Sequence, residues 1–269
     1  MKSVDELLFR CHLLGDIMPA EKAKTDFTQT CKEKLVEIFN DAMYGRYEPP
    51  IESKYTAKGI EQEEMAITLL SMVDKTIYRK NTGRLSNSFI TGEADIVKAI
   101  TNTEDPSKNY KKTHDTKCSW SKNTFDKERL KGIINPSYKY QGHGYMALYG
   151  SLEHELDYCL VNGTERQILK EKDSLSYQDI STETYHERCK EIERNHIFDL
   201  AQFVKDNPDY MMDHEPGEWD YDIPAIERIH RKVFYRDQII IDSIYERIKE
   251  CRIWMKENMA INKLVTEKV

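Results

Sequence analysis

No stretch of the 269 residues approaches the roughly 18–20 consecutive apolar residues of a membrane-spanning helix, which excludes a helical membrane protein. The opening run, MKSVDELLFRCHLLGDIM, is interrupted by Asp5, Glu6, Arg10 and Asp16 and does not read as a secretory signal. Cysteines stand at 11, 31, 118, 159, 189 and 251 with no C-x-x-C pair, and the eight histidines are equally scattered. A disulfide framework or a structural zinc site would gather these residues, so free thiols in a cytoplasmic protein are expected.

What is present points to a folded, helix-rich chain. Charged residues make up 32%, hydrophobic residues 39%, and the 16 tyrosines argue against disorder. The net charge of −7 hides a gradient. Residues 75–140 hold 14 Lys/Arg against 7 Asp/Glu, whereas both flanks are acidic. A basic middle between acidic ends can present a local electropositive face to a polyanion.

Hydrophobic periodicity predicts helices over 25–44 and 57–77, separated by a break at Pro49-Pro50. A β-rich run follows from Ser86 to Ile100, then a loop, then a strand between Tyr110 and Trp120. Ser121 or Asn123 caps a short helix closed by Asn135-Pro136, the charge-free QGHGYMALYG run is helical, and ELDYCLVNG is a further strand. Residues 55–163 therefore predict a mixed α/β core with helices packed on a central sheet. Beyond about 165 the pattern turns helical, with Ile226, Ile229, Val233, Ile240, Ile244 and Ile248 placed as one long helix face.

Three pieces of this core could carry chemistry. Asp95 sits in an otherwise apolar run, where a carboxylate is costly unless paired or metal-bound. Asp115 and Lys117, two apart on a strand, point to one face, with the Thr116 carbonyl between them. Hard divalent ions such as Mg²⁺ and Mn²⁺ want such oxygens, and they activate water and neutralise charge on a phosphodiester. A lysine beside them can orient the water or stabilise developing negative charge. Glu63, four residues after Gly59 on the preceding helix, could bring a further carboxylate, and Gln141 and Tyr145 share one helix face.

The series Gly59-x₃-Glu63, Gly92-x₂-Asp95, Asp115-x-Lys117 and Gln141-x₃-Tyr145 resembles the PD-(D/E)XK nucleases. More narrowly it is similar to the RecB-type branch, which includes the lambda-type and YqaJ-type phage recombination exonucleases. The resemblance implies a restriction-endonuclease-like core over 55–165, an N-terminal helical region over 1–54 packed on it, and a helical C-terminal extension over 166–269. It implies Mg²⁺- or Mn²⁺-dependent DNA cleavage with Asp95, Asp115, Thr116 and Glu63 at the metal and Lys117 as catalytic lysine. Gln141, Tyr145, Ser119 and Lys112 become substrate contacts, and Trp120 follows the motif as an aromatic residue. The implied partners are DNA ends or single strands, a single-strand annealing protein and further copies of the chain, in a host cytoplasm if the protein is phage-encoded.

The sequence departs from the pattern in three places. Aspartate stands at 115 where glutamate is common, the Asp95-to-Asp115 interval is long and needs the TNTEDPSKN loop as an excursion, and His12, the only histidine upstream of Asp95, is no clear counterpart of the one some RecB-type members carry there. Three other readings compete: a nuclease fold that binds without cutting, a sequence-specific endonuclease, and a helical scaffold built on the C-terminal stripe.

Overall fold

A computed structural model describes residues 3–19, 27–47, 54–131, 135–215 and 217–259. The Pro49-Pro50 break and the first residues of the helix expected over 25–44 lie outside them. The chain opens with strand β1 (Phe9–Arg10), one-turn helix α1 (Leu14–Ile17) and helix α2 (Gln29–Tyr44). Helix α3 (Lys54–Val73) leads to β2 (Leu85–Ser86), β3 (Ile90–Gly92), β4 (Ile96–Ile100) and β5 (Tyr110–Cys118). Then come α4 (Lys122–Leu130), α5 (Pro136–Tyr149) and β6 (Glu153–Cys159). The remainder is α6 (Glu165–Leu175), α7 (Thr182–His196), α8 (Leu200–Asp206), β7 (Ile229–Tyr235) and α9 (Gln238–Asn258).

The main sheet runs β4-β5-β6-β7, with β5 and β6 parallel and the outer pairs antiparallel. A smaller sheet, β1-β3-β2, lies at its side. Parallel strands need a crossover, and α4 and α5 supply it between β5 and β6. The sequence marks both helix starts. Ser121 caps α4 through the Thr124 amide, and Asn135 caps α5 with Pro136 at its first position.

Strand alternation sends Asp115 and Lys117 to the α5 side of β5, where Leu156 and Tyr158 of β6 pack with Met146. The other side receives α3 through Ala66, Ile67, Leu69 and Leu70, packed with Ile96, Cys118 and Cys159. Close approach of α5 depends on its glycines. A Cβ at Gly142 would meet the His154 ring at 2.5 Å, so a side chain there would push the helix off β6.

The chain ends meet in one apolar cluster that includes Phe9, Leu14, Leu35 and Phe39 with Ile244, Ile248 and Met255 of α9. Arg247 and Arg252 reach into it and donate to the carbonyls of Ile17 and Leu7, each at 2.7 Å. Tyr145 and Tyr149 of α5 join the same cluster, so the terminal segments hold α5 from behind.

Two helical expectations are corrected. Residues 229–235 form edge strand β7, not the middle of a long helix. Their β-branched and aromatic residues suit a pleated edge, and Asp237 then caps α9. The Ile stripe is accordingly divided: Ile226 and Val233 are exposed, while Ile244 and Ile248 are core. The run from Tyr185 to Asn207 breaks at 197–199, where Ile197 and Phe198 turn inward between α7 and α8. No helix among the described residues is long and apolar enough to cross a membrane.

Candidate active site

Asp95 lies at a bend just before β4, one residue beyond the last register pair, Ile96 with His114. Its backbone is pinned on both sides: the amide donates to the His114 carbonyl at 3.1 Å, and the carbonyl accepts from Asn81 at 2.7 Å. Its carboxylate accepts from the Thr116 amide at 2.6 Å and hydroxyl at 2.9 Å. A strand residue sends its amide and carbonyl to the same side, so the Thr116 carbonyl also projects toward Asp95.

Asp115 is buried beside it and pairs with Lys117 at 2.6 Å. Its second oxygen stands 3.4 Å from the Gln141 amide, whose nitrogen also donates to the Tyr145 hydroxyl at 3.1 Å. Thus α5 lays a stripe across β5, with Tyr138 over Lys117, Gln141 over Asp115, and Tyr145 beyond. The Lys117 ammonium lies 5.3 Å from the centre of the Tyr138 ring. Glu63 of α3 accepts from Lys80 at 3.1 Å and lies within electrostatic range of Asp95.

The charges are imperfectly balanced. Burial, then the neighbouring Asp115 carboxylate, pushes Asp95 up from 3.8 to about 7. Burial alone would lower Lys117, but Asp115 outweighs it and holds the ammonium above its usual range. Two carboxylates therefore share essentially one lysine. Their oxygens, with the Thr116 carbonyl, make a hard donor set that fits a divalent cation, and added positive charge would relieve the Asp95–Asp115 conflict.

The sequence-predicted residues do not all converge. Asp95, Asp115, Thr116, Lys117, Gln141 and Tyr145 meet, and Glu63 borders them. Ser119 is buried at the end of β5, its amide donating to the Cys159 carbonyl at 2.9 Å. Trp120 faces away, its carbonyl accepting from Lys58 at 3.3 Å and its ring edge-on to His196 at 4.9 Å. Lys112 is not brought to the site. It sits an odd number of residues from Asp115 and Lys117, so alternation turns it to the opposite face, where it pairs with Glu155 at 2.8 Å and Glu153 at 3.2 Å.

Sequence reasoning passed over two groups. Tyr138 is three residues before Gln141, and that i,i+3 spacing was the available signal. His12, the only histidine upstream of Asp95, lies in the field of this site. Its pKa is depressed by loss of surrounding water, then by Arg10, with Lys117 and Arg84 adding to the effect. Its sequence neighbourhood carries no sign of this, because the turn Cys11–Leu13 reaches the site through tertiary packing, with Cys11 against Gly92 and against Gly144 of α5.

A second acidic cluster lies on the α3 face of the same strand. His114, Glu155 and Asp157 are buried with their ligand atoms within 4.8 Å of one another. Asp157 accepts from His114 at 2.8 Å and from Arg231 at 2.9 Å, and Glu155 takes Lys112. The chain's own cations already occupy these oxygens, so the Asp95–Asp115 set offers a cation the more open donors.

The whole chain has close counterparts among solved structures. A phage-related exonuclease from Haemophilus somnus 129PT is similar over 94% of this chain and 96% of its own, with TM-score 0.62 and 25% identity. The alkaline exonuclease LHK-Exo from Laribacter hongkongensis matches over 95% and 91%, with TM-score 0.56 and 12% identity. Its complex with dAMP matches over 96% and 95%, with TM-score 0.54 and 14% identity. No protein-family model and no curated protein matches the sequence.

The fold is that of a PD-(D/E)XK nuclease, with the acidic strands and the Gln–Tyr helix in the order which that class uses. Within it, the likeness is to the lambda-exonuclease-like, YqaJ-type branch.

Proposed function

We propose that this protein is a divalent-metal-dependent deoxyribonuclease acting as an exonuclease in DNA recombination or repair. The observation that carries the reading is the uncompensated pair Asp95–Asp115 with Lys117 at 2.6 Å, on a fold shared with exonucleases. Asp95, Asp115 and the Thr116 carbonyl would hold Mg²⁺ or Mn²⁺, with Glu63 at the margin. The ion, when bound, supplies an activated water and neutralises phosphate charge. Lys117 orients that water or stabilises the charge that develops on the phosphate, and Gln141 fixes the Asp115 carboxylate. LHK-Exo, which shares the fold, has been solved in complex with dAMP, and this supports a DNA nucleotide as a ligand of this protein. The excess of Lys/Arg over Asp/Glu in residues 75–140 favours a polyanionic substrate, so binding should weaken as salt rises.

The test is cleavage of end-labelled linear and closed circular DNA in Mn²⁺, Mg²⁺ or EDTA, with Lys117→Ala alongside. Degradation of linear DNA alone, dependent on metal and Lys117, is the expected result. Cutting of the circle would make the protein an endonuclease. Binding without cleavage in any metal would leave a nuclease fold that serves as a DNA-binding or assembly module.

A further inference from the structure

Beside Lys117 lies a cavity of about 370 Å³. Its walls come from four elements: Lys117 of β5, Thr124 and Glu128 of α4, Tyr138 of α5 and Tyr158 of β6, with Lys131 and Asn135 between α4 and α5. That volume falls at the small end of the roughly 300–1,000 Å³ typical of small-molecule sites, enough for one nucleotide and not for a duplex.

The cavity's charge pattern says what part of a nucleotide would enter. Its lysines are already engaged, Lys117 with Asp115 on the catalytic side and Lys131 with Glu128, so the cavity offers no cation to a further phosphate. With Glu128 neutralised by Lys131, what remains is two aromatic walls and uncharged hydrogen-bonding groups on Ser119, Thr124 and Asn135. Such a lining suits the flat face of a base and the hydroxyl edge of a sugar. The shared wall, Lys117, connects the cavity to the carboxylates where a scissile phosphate would lie.

We propose that this cavity is a nucleoside subsite. It holds the base and sugar of one nucleotide adjoining the scissile phosphate, with the base against the Tyr138 ring. The proposal rests on the nuclease reading above and adds a residue to it. Tyr138 contacts substrate without taking part in bond cleavage, and it places the phosphate by holding the neighbouring base. Aromatic stacking is sequence-tolerant, so the subsite would grip any base, as an enzyme that degrades a strand of arbitrary sequence requires.

The experiment is steady-state cleavage of a set of oligonucleotides, each with one abasic nucleotide near the cleaved end, by wild type, Tyr138→Phe and Tyr138→Leu. Leucine keeps apolar bulk for packing and removes the aromatic face. For wild type, one abasic position should raise KM by about 5- to 100-fold, the range expected for one stacked base. Tyr138→Phe keeps the aromatic face and should retain the sensitivity to that abasic position. Tyr138→Leu should show the raised KM on intact DNA and no further loss at that abasic position. Equal abasic sensitivity in Tyr138→Leu and wild type, or no sensitive position at all, would overturn the subsite while leaving the nuclease intact. Should wild type cut nothing, the nuclease reading fails, and the same series read by equilibrium binding decides the subsite separately.

Discussion

On the α5 face of β5, Asp115 and Lys117 lean toward Asp95, and two carboxylates compete for one lysine. On the α3 face, His114 meets Glu155 and Asp157, and there each acid has a cation: Lys112 on Glu155, Arg231 on Asp157. Arg231 also bonds Asp74 at the end of α3 at 2.8 Å, and Tyr78 donates to the same carboxylate at 2.8 Å. Both faces are acidic and both are largely buried. They differ in whether the chain supplies its own counter-charge. A complete network ties β5, β6, β7 and α3 together, whereas an incomplete one leaves oxygens whose neutralisation must come from outside.

The largest expected effect falls on the incomplete face. Lys117→Ala should lower DNA cleavage by about 10³-fold, in line with loss of a group that stabilises charge in a transition state. The far-UV spectrum should be retained, while the unfolding midpoint in EDTA should fall, because the lysine is the cation paired with buried Asp115. Turnover equal to wild type would erase the distinction between the faces.

The complete face should answer in stability instead. Asp157→Ala leaves buried His114 and half-buried Arg231 beside an absent carboxylate, a loss of about 3 kcal/mol, since Arg231 keeps Asp74. Urea unfolding would show it as a lowered midpoint at unchanged slope. Mn²⁺ affinity of the folded variant should match wild type, while Asp115→Asn should lose it. Loss of Mn²⁺ binding in Asp157→Ala alone would move the metal to the α3 face.

A third variant probes the seam that keeps α5 over the open face. Gly142→Ala places a methyl group where the His154 ring already stands, so helix or ring must shift. About 2 kcal/mol of destabilisation is expected, typical of overpacking, together with lower activity as Gln141 moves from Asp115. A variant with wild-type melting and activity would show that α5 can slide without consequence.

Much of the open face was legible in the sequence, and the closed face was not. Asp95, Asp115-x-Lys117 and Gln141-x₃-Tyr145 announce themselves because spacing on one strand or helix fixes which way each residue points. The same alternation should have excluded Lys112, which differs from Lys117 by an odd number of positions. The network around His114 joins residues 74, 114, 155, 157 and 231, and such separations leave no local pattern. Strand β7 was hidden for a related reason. Its residues carry a three-and-four spacing that continues into α9, and only pairing with β6 favours the extended form. Helix starts were legible where a cap stands in the sequence, as at Ser121.

The smallest effect concerns pH and tests whether the open face is short of positive charge. Asp95 in the folded protein holds its proton up to about 7, against 3.8 for the unconstrained group. Below pH 4 both folded and unfolded forms are protonated, and the site costs nothing. Between pH 4 and 7 the unfolded carboxyl ionises first, so stability falls with rising pH, and above 7 the cost is constant. Partial solvent access reduces that cost to about 2 kcal/mol. In EDTA at pH 8.5, Asp95→Asn should therefore unfold at higher urea than wild type, and the gap should close toward pH 4. Saturating Mn²⁺ should reverse the order, since wild type gains binding energy that the variant cannot. An Asp95→Asn protein with no pH-dependent advantage in EDTA would mean that the two carboxylates coexist without conflict, and the contrast between the two faces of β5 would lose its electrostatic basis.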